Sequence, residues 1–131
     1  MEPNSLLRLD SPGNAIQAIA TPKGGEPIYR KPVNSAFIGT KLEGDLHHDG
    51  IETVVIVGLT TNYCVSTTIR MAANLGFKTF VVSDATASFA RPALDGTLRP
   101  AEDVHSAALS DLHGEFATVV DTTEVLKRVG S

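Results

Sequence analysis

The sequence is short of several features, and each shortage excludes a class of protein. It contains one cysteine, Cys64, so no disulfide can form within the chain. The net charge is −4 and the isoelectric point is near 5.5, which argues against nucleic acid or an anionic membrane as a partner. No apolar run is long enough to cross a bilayer, and the N-terminus lacks the basic-then-apolar pattern of a signal peptide. We therefore expect a cytoplasmic protein.

The composition that is present indicates one globular domain. The 131 residues are 42% apolar and 20% charged, which is enough apolar material to bury a core. Residues 1–27 differ from the rest, because four prolines and three glycines interrupt them too often for a long helix or strand. We predict a single domain over residues 1–131, with residues 1–27 as an irregular lead-in.

Beyond the lead-in, apolar β-branched runs alternate with segments of helical periodicity. The pattern predicts strands over residues 26–31, 51–59, 78–83 and 116–120, and helices over residues 40–48, 64–75, 101–114 and 124–128. Strands and helices that alternate at this spacing form right-handed βαβ units. The predicted fold class is therefore α/β with a parallel sheet.

Cys64 lies where the most apolar of these strands meets the following helix. The strand over residues 53–59 is almost continuously apolar, which predicts burial on both faces. Thr60, Thr61 and Asn62 are residue types that cap a helix, and they place Cys64 on its first turn. Backbone N–H groups and the helix dipole favour a thiolate there. A lone cysteine is also commonly a small, inert, buried hydrophobe, so both interpretations stay open.

Two motifs and a shorter segment stand out in the sequence. The first motif runs Lys31-Pro32-Val33-Asn34-Ser35-Ala36-Phe37, the second runs Gly58-Leu59-Thr60-Thr61-Asn62-Tyr63-Cys64-Val65, and the segment is Asp84-Ala85-Thr86-Ala87. With them the chain resembles the isochorismatase-like cysteine hydrolases. The similarity extends over residues 12–126. It implies a three-layer α/β/α, Rossmann-like fold and an Asp-Lys-Cys triad, with Cys64 as the nucleophile and Lys31 as the cation that helps to hold its thiolate.

The resemblance also implies a reaction. The substrate would be a small amide, imide or vinyl ether, hydrolysed without a cofactor by a homo-oligomeric enzyme. A cis peptide at Leu59-Thr60 would aim backbone N–H groups at the reacting carbonyl, so that Thr60 and Cys64 supply the oxyanion hole.

The chain departs from the family pattern at the aspartate of the triad. No segment resembles the apolar-apolar-Asp-Met-Gln pattern that ends the family's first strand. Asp10 lies too few residues before Lys31, and Asp84 follows a different strand and is better explained as a turn cap. We therefore expect an N-terminally shortened domain with an exposed sheet edge. The alternative function is a catalytically impaired relic that serves as a binding or oligomerisation module.

The remaining candidates have two interpretations each. Phe37 lines the substrate pocket or packs in the core, and Asn62 positions substrate or caps the helix. Arg91 and Arg99 bind an anionic substrate group or face solvent. We expect no metal site, since the adjacent His47 and His48 diverge on a helix and no Asp-x-His pattern precedes the lysine.

Overall fold

The computed structural model describes residues 23–129. Most of the predicted lead-in, including Asp10, lies outside these residues. The elements are α1 (Leu42–His48), β1 (Thr53–Leu59), a π-helical turn (Thr61–Val65), α2 (Ser66–Asn74), β2 (Lys78–Ala87), β3 (Arg91–Pro92), β4 (Leu98–Arg99), α3 (Ala101–Leu112), β5 (Thr118–Val120) and α4 (Thr122–Val129). Among the described residues, no helix has the length and apolar character needed to span a membrane.

A parallel sheet in the order β1-β2-β5 forms the middle layer. On one face, α2 and α3 pack over a core of Val65, Ile69, Val81, Leu112 and Ala117. On the other face, Val125 of α4 covers Phe80, Val82 and Val120. The arrangement confirms the predicted α/β/α fold class, because successive side chains of each strand supply apolar groups to opposite layers.

The strand predicted over residues 26–31 is wrong. These residues form no ladder with any strand of the described part of the chain. A strand needs a neighbour to accept its hydrogen bonds, and the local sequence does not provide one. Between β2 and α3, where the sequence pattern predicts neither a helix nor a strand, lies the short antiparallel pair β3 and β4, in which Arg91 faces Arg99.

The prediction that β1 is buried on both faces is also wrong. Its residues alternate in exposure, and Val55, Val57 and Leu59 are 42%, 56% and 62% exposed. β1 lies at the edge of the described sheet, and α4 covers the same face only over β2 and β5. The apolar sequence of β1 therefore marks a surface that the described residues leave open.

The ladder between β1 and β2 contains a bulge. Ile56 pairs with Val81, but the next pair is Gly58 with Thr86, so several residues of β2 leave the ladder. Gly58 has φ of +121°, a backbone conformation that other residues rarely adopt. Bulges of this kind redirect side chains and carbonyls, and here they free Ser83 and Asp84 for contacts outside the sheet.

Candidate active site

Lys31 and Cys64 meet beyond the C-terminal end of β1. The Lys31 Nζ atom lies 3.3 Å from the Cys64 Sγ atom and 3.1 Å from the Val33 carbonyl oxygen. Cys64 is half-buried and Lys31 is exposed, so solvent partly screens the interaction between them. An ammonium at this distance can stabilise a thiolate by charge and by a hydrogen bond.

The irregular segment that carries Lys31 is attached to the rest of the domain on both sides. Before Lys31, the Tyr29 hydroxyl donates to the Asp45 carboxylate of α1 over 2.6 Å, and this bond raises the pKa of Tyr29. After it, the Ala36 N–H donates to the Thr68 hydroxyl of α2 over 3.0 Å. These two bonds, rather than a sheet ladder, position the lysine.

The chain turns from β1 into the helix through an unusual backbone. The Leu59-Thr60 peptide is cis, and Thr60 is extended, with φ −103° and ψ 149°. The Thr60 carbonyl accepts the N–H groups of Tyr63 at 3.1 Å and Val65 at 3.2 Å. The Cys64 N–H is not donated to that carbonyl, because the π-helical turn is wider than an α-helical one.

The predicted side-chain cap of this helix is wrong. Thr60 occupies the N-cap position, but its side chain makes no capping hydrogen bond. Thr61 is fully buried and points toward α3, where its hydroxyl lies 2.7 Å from His105 Nδ1. His105 Nε2 lies 3.0 Å from the Ser83 carbonyl oxygen, which can only accept, so Nε2 carries a proton, and in the neutral ring Nδ1 accepts from Thr61. His105 thus joins the start of the helix to the bulge of β2.

In the described part of the chain, no carboxylate joins Lys31 and Cys64 to form a triad. Lys31 forms no ion pair there, and Asp84 is engaged elsewhere. One Asp84 oxygen accepts the Thr122 hydroxyl at 2.7 Å and the Thr122 N–H at 2.8 Å, and the hydroxyl bond is the main cause that lowers the pKa of Asp84. Asp84 therefore caps α4 rather than the turn that follows it. The prediction for Asp10 lies outside the described residues.

The two predicted substrate-binding residues, Phe37 and Asn62, lie in different environments. Phe37 is 9% exposed and packs in a core with Ala72 and Phe77, whose ring stacks on it at 6.0 Å. Its surroundings support the core role. Asn62 is not a cap, and its Oδ1 atom is buried without a hydrogen-bond partner among the described residues. It lies two positions before Cys64, which is about half a helical turn, and so on the opposite side of the helix.

Within residues 23–129, no cluster of three or more histidine, cysteine or acidic side chains is arranged to hold a metal ion. His47 and His48 are both exposed, as their adjacent positions on a helix predict. The His47 ring contacts Glu43 at 3.3 Å and stacks on Phe77 at 4.9 Å.

Two residues that support the site, Thr68 and His105, were not identified from the sequence. Thr68 lies four residues after Cys64 on the same helix, so helical spacing could have placed it beside the segment that follows Lys31. His105 is separated from Thr61 by 44 residues, and no local pattern connects them. Only the packing of α3 against the helix start reveals that contact.

Comparison with known proteins agrees with the motifs. The Isochorismatase domain family matches residues 2–124. The isochorismatase family protein YrdC of Bacillus subtilis is 47% identical over 125 residues, which are 95% of this chain and 67% of that protein. Nicotinamidase 3 of Arabidopsis thaliana is 36% identical over 98 residues, which are 75% of this chain and 44% of that protein.

The fold has a solved counterpart. A crystal structure of an isochorismatase family protein from Chromobacterium violaceum superimposes with a TM-score of 0.92 at 38% identity, and the match covers 96% of this chain and 65% of that one. The chain thus spans about two thirds of the length of this structure and of YrdC, and less than half of the plant nicotinamidase.

Proposed function

Because the chain belongs to the isochorismatase family, we propose that it is a cysteine hydrolase acting on a small amide, imide or vinyl ether through the Cys64 thiolate and Lys31. The observation that carries the proposal is the 3.3 Å contact between Lys31 Nζ and Cys64 Sγ. A thiolate is a nucleophile, a thiol is a poor one, and an adjacent cation is a common way to favour the charged form.

For an amide substrate, the chemistry has two steps. The Cys64 sulfur adds to the carbonyl carbon, and the oxygen gains negative charge that N–H groups near Thr60 and Cys64 would stabilise. The C–N bond then breaks, the Lys31 ammonium gives a proton to the departing nitrogen, and an acyl thioester remains on Cys64. Water adds to the thioester and releases the acid, and its proton returns to Lys31, so the enzyme is restored.

Support for the oxyanion role comes from the backbone of the π-helical turn. Because the Thr60 carbonyl accepts from Tyr63 and Val65, the Cys64 N–H is not used in the bond that an α-helix would impose. The name of the plant relative, a nicotinamidase, supports an amide as the substrate class.

One observation favours the alternative, a catalytically impaired module that binds or oligomerises. No carboxylate contacts Lys31 or Cys64 among residues 23–129. A carboxylate would hold the lysine and help to return the proton between the two steps. Without one, we expect acylation of Cys64 to be faster than its hydrolysis.

The test is to incubate the protein with small amides, nicotinamide among them, and to follow ammonia release together with intact mass. We expect release and a mass adduct that are both absent in Cys64→Ala and both retained in Ser110→Ala, whose hydroxyl lies on the exposed side of α3. Ammonia release that survives Cys64→Ala would overturn the proposal. Absence of both release and adduct with every amide would favour the binding module.

A further inference from the structure

We propose that a pocket on the side of the helix opposite Cys64 binds a compact carboxylate that carries its own hydrogen-bond donor. The pocket has a volume of about 220 Å³ and lies where the helix start, the β3–β4 pair and α3 meet. The residues that carry the inference are Asn62, Ser66, Arg70, Arg91, Arg99 and Asp111.

Positive charge is concentrated in this pocket although the chain as a whole is acidic. Three of the six arginines of the chain line it, against one carboxylate, Asp111. None of the three forms an ion pair within residues 23–129, where the ion pairs are His47 with Glu43 and Arg128 with Glu124. Arg91 and Arg99 are direct cross-strand partners, an arrangement that like charges disfavour. A bound anion would relieve that repulsion.

Two of the guanidinium groups are held in place. The Arg70 Nε atom donates to the Ser66 hydroxyl over 3.2 Å, and its guanidinium lies 4.7 Å from the Phe116 ring centroid. The Arg91 guanidinium lies 5.0 Å from the Tyr63 ring centroid. A guanidinium stacked on a ring keeps its N–H edge available, and that edge matches the two oxygens of a carboxylate.

Asn62 supports ligand binding in the pocket independently of the arginine charges. Asn62 lines the pocket, and its Oδ1 atom is buried and accepts no hydrogen bond from the described residues. A buried acceptor without a donor is costly, so the amide gains by turning its oxygen toward the pocket, where a bound ligand donates to it. The ligand class is thus an anion with an adjacent O–H or N–H group.

The pocket volume indicates the size of the group that fills it. Water occupies about 30 Å³ per molecule in the liquid, so a volume of about 220 Å³ corresponds to roughly seven waters. That space accommodates a small hydroxy or amino acid. Asn62, Ser66 and Arg70 are spaced four residues apart and share one helix face. Cys64 is not on that face, so ligand binding in the pocket does not require the Cys64 thiol.

The experiment uses glycolate, which has a carboxylate and a hydroxyl donor, and methoxyacetate, in which a methyl group replaces the donor hydrogen. Binding is measured by calorimetry and by NMR of the arginine side chains, in the wild type, in Arg99→Gln and in Arg128→Gln. Arg128 is the matched control, because it is an arginine outside the pocket. The series is repeated in Cys64→Ala.

We expect glycolate to bind about fivefold more tightly than methoxyacetate, and Arg99→Gln to weaken binding about tenfold. Arg128→Gln and Cys64→Ala should leave binding unchanged, so that this result does not depend on whether the protein is a hydrolase. Absence of glycolate binding, an equal loss in Arg128→Gln, or equal affinity for the two ligands would overturn the proposal.

Discussion

The Lys31 ammonium and the Cys64 sulfur lie 3.3 Å apart, although 33 positions separate the two residues in sequence. Nothing in the backbone between them forces this contact. It results from the packing of the lysine segment against α1 and α2, through the Tyr29–Asp45 and Ala36–Thr68 bonds. The reactivity of Cys64 should therefore depend on both the charge and its placement.

Removal of that charge should slow alkylation of Cys64. We expect Lys31→Met to lower the iodoacetamide rate at pH 7 roughly five- to tenfold at low salt, since a unit charge at this distance contributes about 1 kcal/mol even in water. High salt should reduce the difference. The matched control is Lys78→Met, because the Lys78 ammonium contacts the Phe80 ring instead. Equal rates in the wild type and Lys31→Met would contradict the proposed role of the lysine.

The contact between Thr61 and His105 should stabilise the fold. Thr61→Val leaves the His105 acceptor without its donor, and His105→Leu leaves a fully buried hydroxyl without its acceptor. Each change should lower the free energy of unfolding in urea by about 1–3 kcal/mol. The double variant should lose less than the sum of the two, because it leaves neither partner unpaired. Strict additivity would show that the two side chains do not interact.

Gly58 should be difficult to replace. Its φ of +121° is unfavourable for alanine, while an added Cβ atom would meet no other atom within 4 Å. Gly58→Ala should therefore cost about 1–3 kcal/mol through the backbone alone. Gly44 is the control, since it lies inside α1 with equal space and without a positive φ. Gly44→Ala should stabilise the protein by up to about 1 kcal/mol, and destabilisation by both changes would point to crowding instead.

The bond between Asp84 and Thr122 makes stability dependent on pH in the acid range. The pKa of Asp84 lies below its ordinary value of 3.8, chiefly because the Thr122 hydroxyl donates to the carboxylate. As the pH falls, the Asp84 carboxylate of the unfolded chain is protonated before that of the folded chain. The stability that the Asp84–Thr122 bond contributes is therefore present above pH 3.8 and is lost as the pH falls through the folded pKa of Asp84. Thr122→Val should raise the pKa of Asp84, as measured by carboxyl NMR, and Thr123→Val should not.

We also expect the protein to self-associate through the exposed side of β1. Val55, Val57 and Leu59 form an apolar row on a strand at the edge of the described sheet, and such edges favour pairing with another chain. Val57→Glu should lower the mass measured by light scattering. Leu98→Glu changes an apolar residue on β4 that is at least as exposed as Val57, and it should not lower the mass. An identical mass for the wild type and Val57→Glu would exclude this interface.

Much of the candidate site was predictable because its signals are local. A β-branched run, short polar residues and helical spacing placed Cys64 at a junction of strand and helix, and the structure has that junction at Leu59 to Ser66. The pairing with Lys31 came from the motif of a known family. The position of Asn62 beside three arginines was not predictable, because those arginines come from α2, β3 and β4.

The sequence by itself determined where β1, α2, β2, α3 and α4 lie, because the periodicity of apolar residues is a local signal that acts within a few positions. Tertiary structure alone decided that residues 26–31 find no ladder partner in the described sheet and that one side of β1 stays open. It also decided that His105 supports the turn before Cys64. These outcomes depend on which distant segments pack together, and chain-wide packing leaves no mark on local spacing.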